Sequence, residues 1–108
     1  MCGLAGIVDP TGRRTAEDMR ELARAMADRL VHRGPDDRGT WVGADARVAL
    51  GHRRLSVVDL SEAGRQPMVS ADGRWVLAYN GELYNASELR HSVGLGARDL
   101  RGHSDTEV

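Results

Sequence analysis

The chain has 108 residues, the length of one small domain with room for a modest core. A formal net charge of −1 gives no pull towards nucleic acid or an anionic membrane, and a single cysteine excludes an internal disulfide and suits a reducing, cytoplasmic compartment. All 15 basic residues are arginine and phenylalanine is absent, which reads as codon bias as much as function.

The chain opens MCGLAGIVDP. Its apolar run, Leu4 to Val8, has no basic flank and stops at Asp9, so it is not a signal peptide. No stretch approaches the ~20 apolar residues of a membrane span. Residues 3–8 read as a short buried strand ending at the DPTG turn. Thr15 is placed to cap a helix, with Glu17 and Asp18 in the favoured first turn. Met19, Leu22, Ala23, Met26 and Leu30 then recur on one helical face, and Gly34-Pro35 in HRGPDDRG ends the helix near His32. Residues 39–43 and 46–55 carry a strand pattern joined by a tight Ala44-Asp45 turn. Residues 56–66 read as irregular. PMVSADGRWVLAYN predicts a hairpin around Asp72-Gly73. Asn85, with Glu88 three residues on, predicts a capping box for a short helix that ends at Gly94 and Gly96. The closing GHSDTEV reads as a loop entering another helix, capped by Ser104 with Asp105 and Glu107 in its first turn.

Cys2 stands directly behind Met1, and methionine is removed efficiently before a small residue. The mature chain would then begin with a thiol and a free α-amine on one residue. An α-amine titrates at ~7.7–8.0 and a thiol at ~8.5, so the amine can take the thiol proton near neutral pH. Position alone still favours an incidental small apolar cysteine. Other chemistry is poorly supported. His32, His52, His91 and His103 with Cys2 show no zinc-ligand spacing, and Gly94-Leu95-Gly96 lacks the rest of a phosphate loop. His103-Ser104-Asp105 has triad residue types, but neighbours in sequence cannot point at one another in a relay.

Taken together, MCGLAGI, HRGPDDRG, GHRRLSVVDLSEAGRQPM, YNGELYN and GHSDTEV resemble, in order and spacing, the class II glutamine amidotransferases, which are N-terminal-nucleophile hydrolases. RLSVVDL, RQPM and the tyrosines of YNGELYN resemble the asparagine synthetase branch more than its siblings. The resemblance implies that Cys2 is the nucleophile, forming a γ-glutamyl thioester from glutamine and releasing ammonia. Asn80 and Gly81 would form the oxyanion hole, where fixed donors meet the developing charge without reorganising. Arg54 would grip the glutamine α-carboxylate, a task for a two-pronged guanidinium that lysine cannot copy. Asp105 would pair with the α-ammonium, assisted by Glu82. Arg33 and Asp36 would organise the pocket. Arg53, sent to the opposite face by strand alternation, reads as a solvated arginine.

The fold implied is α+β: part of a four-layer αββα sandwich of mostly antiparallel sheets. Residues 2–108 would be the N-terminal part of a type 2 glutamine amidotransferase domain, with the synthetase domain absent. The function implied is glutamine hydrolysis that supplies ammonia to a synthetase domain or subunit for an ATP-dependent amidation such as asparagine synthesis. No cofactor or metal is expected in this segment, while ATP and magnesium belong to the synthetase domain. The complete protein could be a homodimer; nucleic-acid and membrane partners are not expected. Two alternatives stay open: an inactive truncated fragment, unstable alone with its pocket open on one side, and a non-catalytic glutamine-binding module. The ammonia acceptor stays unnamed.

Overall fold

The computed structural model describes residues 1–56 and 61–108. Three of its strands form one antiparallel sheet in the order β1-β3-β2: β1 (Gly3–Val8), β2 (Asp37–Val42) and β3 (Val48–Arg54). β1 spans the residues expected. Gly3 faces Arg53 and Val8 faces Val48, while Asp37 faces Arg54 and Val42 faces Ala49. The β2–β3 connection turns at Ala44-Asp45, where Ala46 takes a left-handed φ of 56°.

Between β1 and β2 runs α1 (Ala16–Asp28). Thr15 accepts from the Asp18 N–H at 3.1 Å and Asp18 accepts from the Thr15 N–H at 3.0 Å, a reciprocal cap that fixes the helix start. Ahead of it, Asp9 is buried at the end of β1 and accepts from the Thr11 hydroxyl and the Thr11 and Arg14 N–H groups. Those donors, the Thr11 hydroxyl first, hold its carboxyl below the ordinary range despite burial. α1 stops at Asp28, short of His32, and turns cover residues 30–33.

The face α1 buries differs from the expected stripe. Met19, Ala23 and Ala27 are buried, whereas Leu22 and Met26 remain 40% and 42% exposed. The reason is close approach: a Cβ on Gly51 would stand 2.5 Å from the Ala23 carbonyl, so helix and β3 meet through their smallest residues. Met19, Ala23 and Ala49 form the core, with Ile7 and Val42 packed against them.

The other sheet face is covered only in part. Leu4 and Val8 stay exposed there, while the chain around Gln66 and Pro67 lies over Gly39. Of the stretch expected to be irregular, residues 57–60 lie outside the described residues, and Glu62–Gly64 form one 3₁₀ turn. Arg65 Nε and Nη2 donate to the two Asp37 oxygens at 2.9 and 3.2 Å, tying this segment to β2 and holding the Asp37 carboxyl below its usual range.

β4 (Met68–Val69) and β5 (Val76–Leu77) make the expected hairpin, but its loop is longer than a two-residue turn. Ser70 and Asp72 side chains accept from the Trp75 and Arg74 N–H groups and so replace ladder bonds, and Gly73 sits at φ 70°. α2 (Ala86–Ser92) begins without the expected capping box, because Asn85 is not extended and its side chain makes no cap bond. It ends as expected at Gly94 (φ 72°), with the Leu95 N–H donating to the Arg90 carbonyl at 2.9 Å. Ser104 caps the last element, a single 3₁₀ turn over Asp105–Glu107. The result is α+β with antiparallel sheets; among the described residues a helix-on-sheet pair and a small hairpin are present, and four stacked layers are not. No helix among those residues is long and apolar enough to cross a membrane.

The loop over β2 makes a sharp prediction. A Cβ on Gly39 would collide with the Gln66 carbonyl oxygen, a backbone atom that cannot swing aside. Gly39→Ala is expected to destabilise the fold by about 3 kcal/mol or more. Gly73→Ala, where nothing lies within 4 Å of the new methyl, is expected to cost only about 1 kcal/mol from its left-handed backbone. Denaturant melts of the two variants check the ranking; equal losses would mean that Gly39 is not held against Gln66.

Candidate active site

Cys2 precedes β1 and lies alongside the end of β3. The Leu55 N–H donates to its sulfur at 3.4 Å, and the thiol points back to the Leu55 carbonyl at 3.9 Å. Leu55 is fixed by Asp36, because the Asp36 N–H donates to the Arg54 carbonyl at 3.0 Å and the Asp36 carboxylate accepts from the Ser56 N–H at 2.7 Å. One aspartate thus clamps the backbone on both sides of the residue that seats the thiol.

The alternation of β3 sends its two arginines opposite ways. Arg54, 8% exposed, turns towards the 61–67 segment, and its Nη1 donates to the Ser61 carbonyl at 2.8 Å. Arg53 is not solvated, contrary to expectation. It is equally buried, its Nε donates to the Gly34 carbonyl at 2.9 Å, and Nη1 lies 3.5 Å from the Asp28 carboxylate. The end of α1 and the HRGPDDRG loop fold over that face and supply the acceptors that a buried guanidinium needs. Gly34 permits this contact, since a Cβ there would stand 2.5 Å from the Arg53 carbonyl.

Past β5 the chain returns to the sheet. The Tyr79 N–H donates to Gln66 Oε1 at 2.6 Å, which places Asn80, Gly81 and Glu82 beside the N-terminus. The Leu83 N–H donates to Asp105 Oδ2 at 2.5 Å, which draws the last 3₁₀ turn onto the same segment. Cys2, Arg54, Asn80, Gly81, Glu82 and Asp105 all line one cavity of about 310 Å³. These six come from four separate chain segments. Met1 and Tyr84 stand at the same cavity, 77% and 94% exposed.

The cavity lining does not include Arg33 or Asp36. Asp36 acts through Leu55 as described, whereas Arg33 is half-buried in the turn after α1. Gln66 was not foreseen as a site residue: it is 8% exposed, lines the cavity and orients Tyr79. Its only sequence signal is its place in RQPM, because a buried amide serving a backbone N–H thirteen residues away leaves no periodicity.

The chemistry within reach follows from the groups present. The Cys2 thiol and residues that carry side-chain and main-chain N–H donors line the same cavity, a set that suits attack on a carbonyl. One guanidinium and two carboxylates across the same cavity suit a ligand carrying both an anionic and a cationic group.

A family model described as a glutamine amidotransferase domain matches residues 1–108. Asparagine synthetase (glutamine-hydrolyzing) 2 of Bacillus subtilis is 42% identical over 93 residues, covering 86% of this chain and 12% of that protein. Asparagine synthetase (glutamine-hydrolyzing) 3 of the same organism is 40% identical over 110 residues, covering 100% of this chain and 17% of that protein. A probable asparagine synthetase (glutamine-hydrolyzing) of Dictyostelium discoideum is 38% identical over 108 residues, covering 99% of this chain and 18% of that protein. The chain therefore spans less than a fifth of the length of these relatives.

Proposed function

Because the chain belongs to the glutamine amidotransferase domain family, we propose that it forms the part of a larger enzyme that hydrolyses glutamine and releases ammonia for an ATP-dependent amidation such as asparagine synthesis. The observation that carries this reading is the meeting of Cys2, Arg54, Asn80, Gly81, Glu82 and Asp105 around one cavity.

The steps follow from those groups. With Met1 removed, the Cys2 α-amine accepts the thiol proton and the sulfur attacks the side-chain carbonyl of glutamine. The carbonyl oxygen gains charge and is met by the Asn80 side-chain amide and the Gly81 N–H. The C–N bond breaks as the amine returns its proton, so ammonia leaves and a γ-glutamyl thioester remains. Water then attacks the thioester to give glutamate and the free thiol. Arg54 holds the α-carboxylate, and Asp105 with Glu82 holds the α-ammonium. Asp36 keeps Leu55, and so the thiol, in place. Folding into the four-layer sandwich of N-terminal-nucleophile hydrolases belongs to the same proposal. ATP and magnesium are assigned to the ammonia-accepting part outside these residues; the Gly94-Leu95-Gly96 stretch does not fit a phosphate cradle, since Gly94 closes α2.

Glutamate and ammonia release by the full-length protein tests the reading directly. Arg54→Lys sharpens it. A paired guanidinium–carboxylate contact exists in the ground state as in the transition state, so its loss is expected to raise the glutamine KM by about 10–100-fold with kcat much less affected. An unchanged KM would remove Arg54 from the carboxylate site.

A further inference from the structure

His52 is the buried titratable group that this mechanism leaves unused. Its side chain is 1% exposed, and both ring nitrogens are buried without a hydrogen-bond partner. It stands two residues before Arg54 on the same face of β3, between Leu4 of β1 and Gly39 of β2 in register. Over Gly39 lies Gln66, whose side chain holds the Tyr79 N–H. The Tyr79 carbonyl stands near enough to favour a proton on the imidazole, yet short of hydrogen-bond geometry.

We propose that His52 is a positioning residue for the Asn80 and Gly81 donors: with glutamine bound, its ring N–H donates to the Tyr79 carbonyl and fixes the backbone from which Asn80 projects. The inference rests on the proposed glutamine hydrolysis and adds a residue to it. A buried donor left without an acceptor is costly, and a small inward shift of Tyr79 supplies one. Tyr79 is already held at its N–H by Gln66, so a second hold at its carbonyl fixes the peptide leading into Asn80 from both sides. The geometry required of oxyanion donors is tight, which makes such a hold effective.

The charge state suits the role. Burial pushes the imidazole below its ordinary range; the Tyr79 carbonyl opposes this, the Arg54 guanidinium adds to it and Asp37 of β2 opposes it. β1 presents Leu4, which carries no charge. The ring therefore stays neutral at neutral pH, with one nitrogen carrying the donor proton. Protonation at low pH would set a second cation beside Arg54 and disturb the pocket.

The test uses the full-length protein with His52→Phe, which keeps ring bulk without a donor, and His52→Gln, which restores an uncharged N–H. His52→Phe is expected to lower glutaminase kcat by about tenfold with the glutamine KM nearly unchanged, and His52→Gln to recover most of the loss. An acid limb set by the Cys2 α-amine is expected in wild type and in His52→Gln alike, so the kcat–KM split and the rescue are the deciding readouts. Wild-type kcat in His52→Phe, or a His52→Gln variant as slow as His52→Phe, would overturn the inference. If His52→Phe does not fold, His52→Leu takes its place, and a folded His52→Leu with wild-type kcat overturns it equally. Cys2→Ala and the wild-type protein, measured alongside, separate the two readings: a dead Cys2→Ala with a normal His52→Phe removes only His52, whereas a wild-type protein that releases no ammonia from glutamine removes the proposed hydrolysis itself.

Discussion

Cys2→Ala in the full-length protein is expected to abolish glutamine hydrolysis, a loss on the order of 10⁴-fold or more in kcat, while glutamine still binds. The two effects separate because the groups assigned to binding come from other segments: Arg54 from β3, Glu82 from the connection between β5 and α2, and Asp105 from the last 3₁₀ turn. Removing the sulfur leaves the Asp36 clamp on Leu55 intact, so the cavity keeps its shape. A diazo- or chloro-ketone analogue of glutamine is expected to label Cys2 alone, and the variant to resist labelling. In the proposed mechanism the same sulfur needs a free α-amine beside it. A protein whose N-terminus is permanently extended is therefore expected to be as inactive as Cys2→Ala, although its thiol is present. Full turnover in the extended protein would show that some other group takes the thiol proton.

Much of this was legible because the controlling physics is local. β1 covers its apolar run and ends with it at Val8, and Thr15 with Asp18 closes a cap within four residues. Gly94 ends α2 because only a left-handed residue lets the chain turn back on the last carbonyls. Failures arose where a distant segment decides. Leu22 and Met26 share the apolar stripe of α1, but Gly51 draws the helix down on Ala23 and leaves them outside. Arg53 looks like any strand arginine until the HRGPDDRG loop folds over it with the Gly34 carbonyl. Asn85 has the composition of a cap, yet the preceding turn, with the Ala86 N–H on the Leu83 carbonyl, holds its backbone out of the extended form a cap needs. Residue types in the cavity could be named through family likeness. Their convergence depends on Gln66 and Asp36, whose partners lie thirteen or more residues away.

Asn80→Ala is expected to lower kcat by roughly 10²–10³, about 3–4 kcal/mol, with little change in KM. The asymmetry follows from when the contact matters. In bound glutamine the side-chain carbonyl oxygen is neutral, and an amide donor beside it gains little over water. Once the sulfur has attacked, that oxygen carries negative charge, and a donor already held in place stabilises it without reorganisation. Asn80 itself is exposed at the cavity and takes no part in the core, so truncation leaves the fold unchanged. The backbone donor of Gly81 remains in the variant, which keeps the loss below that of Cys2→Ala. Gly81→Ala probes the second donor differently: a Cβ there would stand 2.6 Å from the Tyr79 hydroxyl, the movable end of a side chain. Adding that methyl therefore displaces the phenol rather than the backbone, and a milder loss is expected. Measured thioester formation in a single turnover isolates the step. A drop in Asn80→Ala confined to KM would place the side chain on the substrate amide in the ground state and leave the oxyanion to other donors.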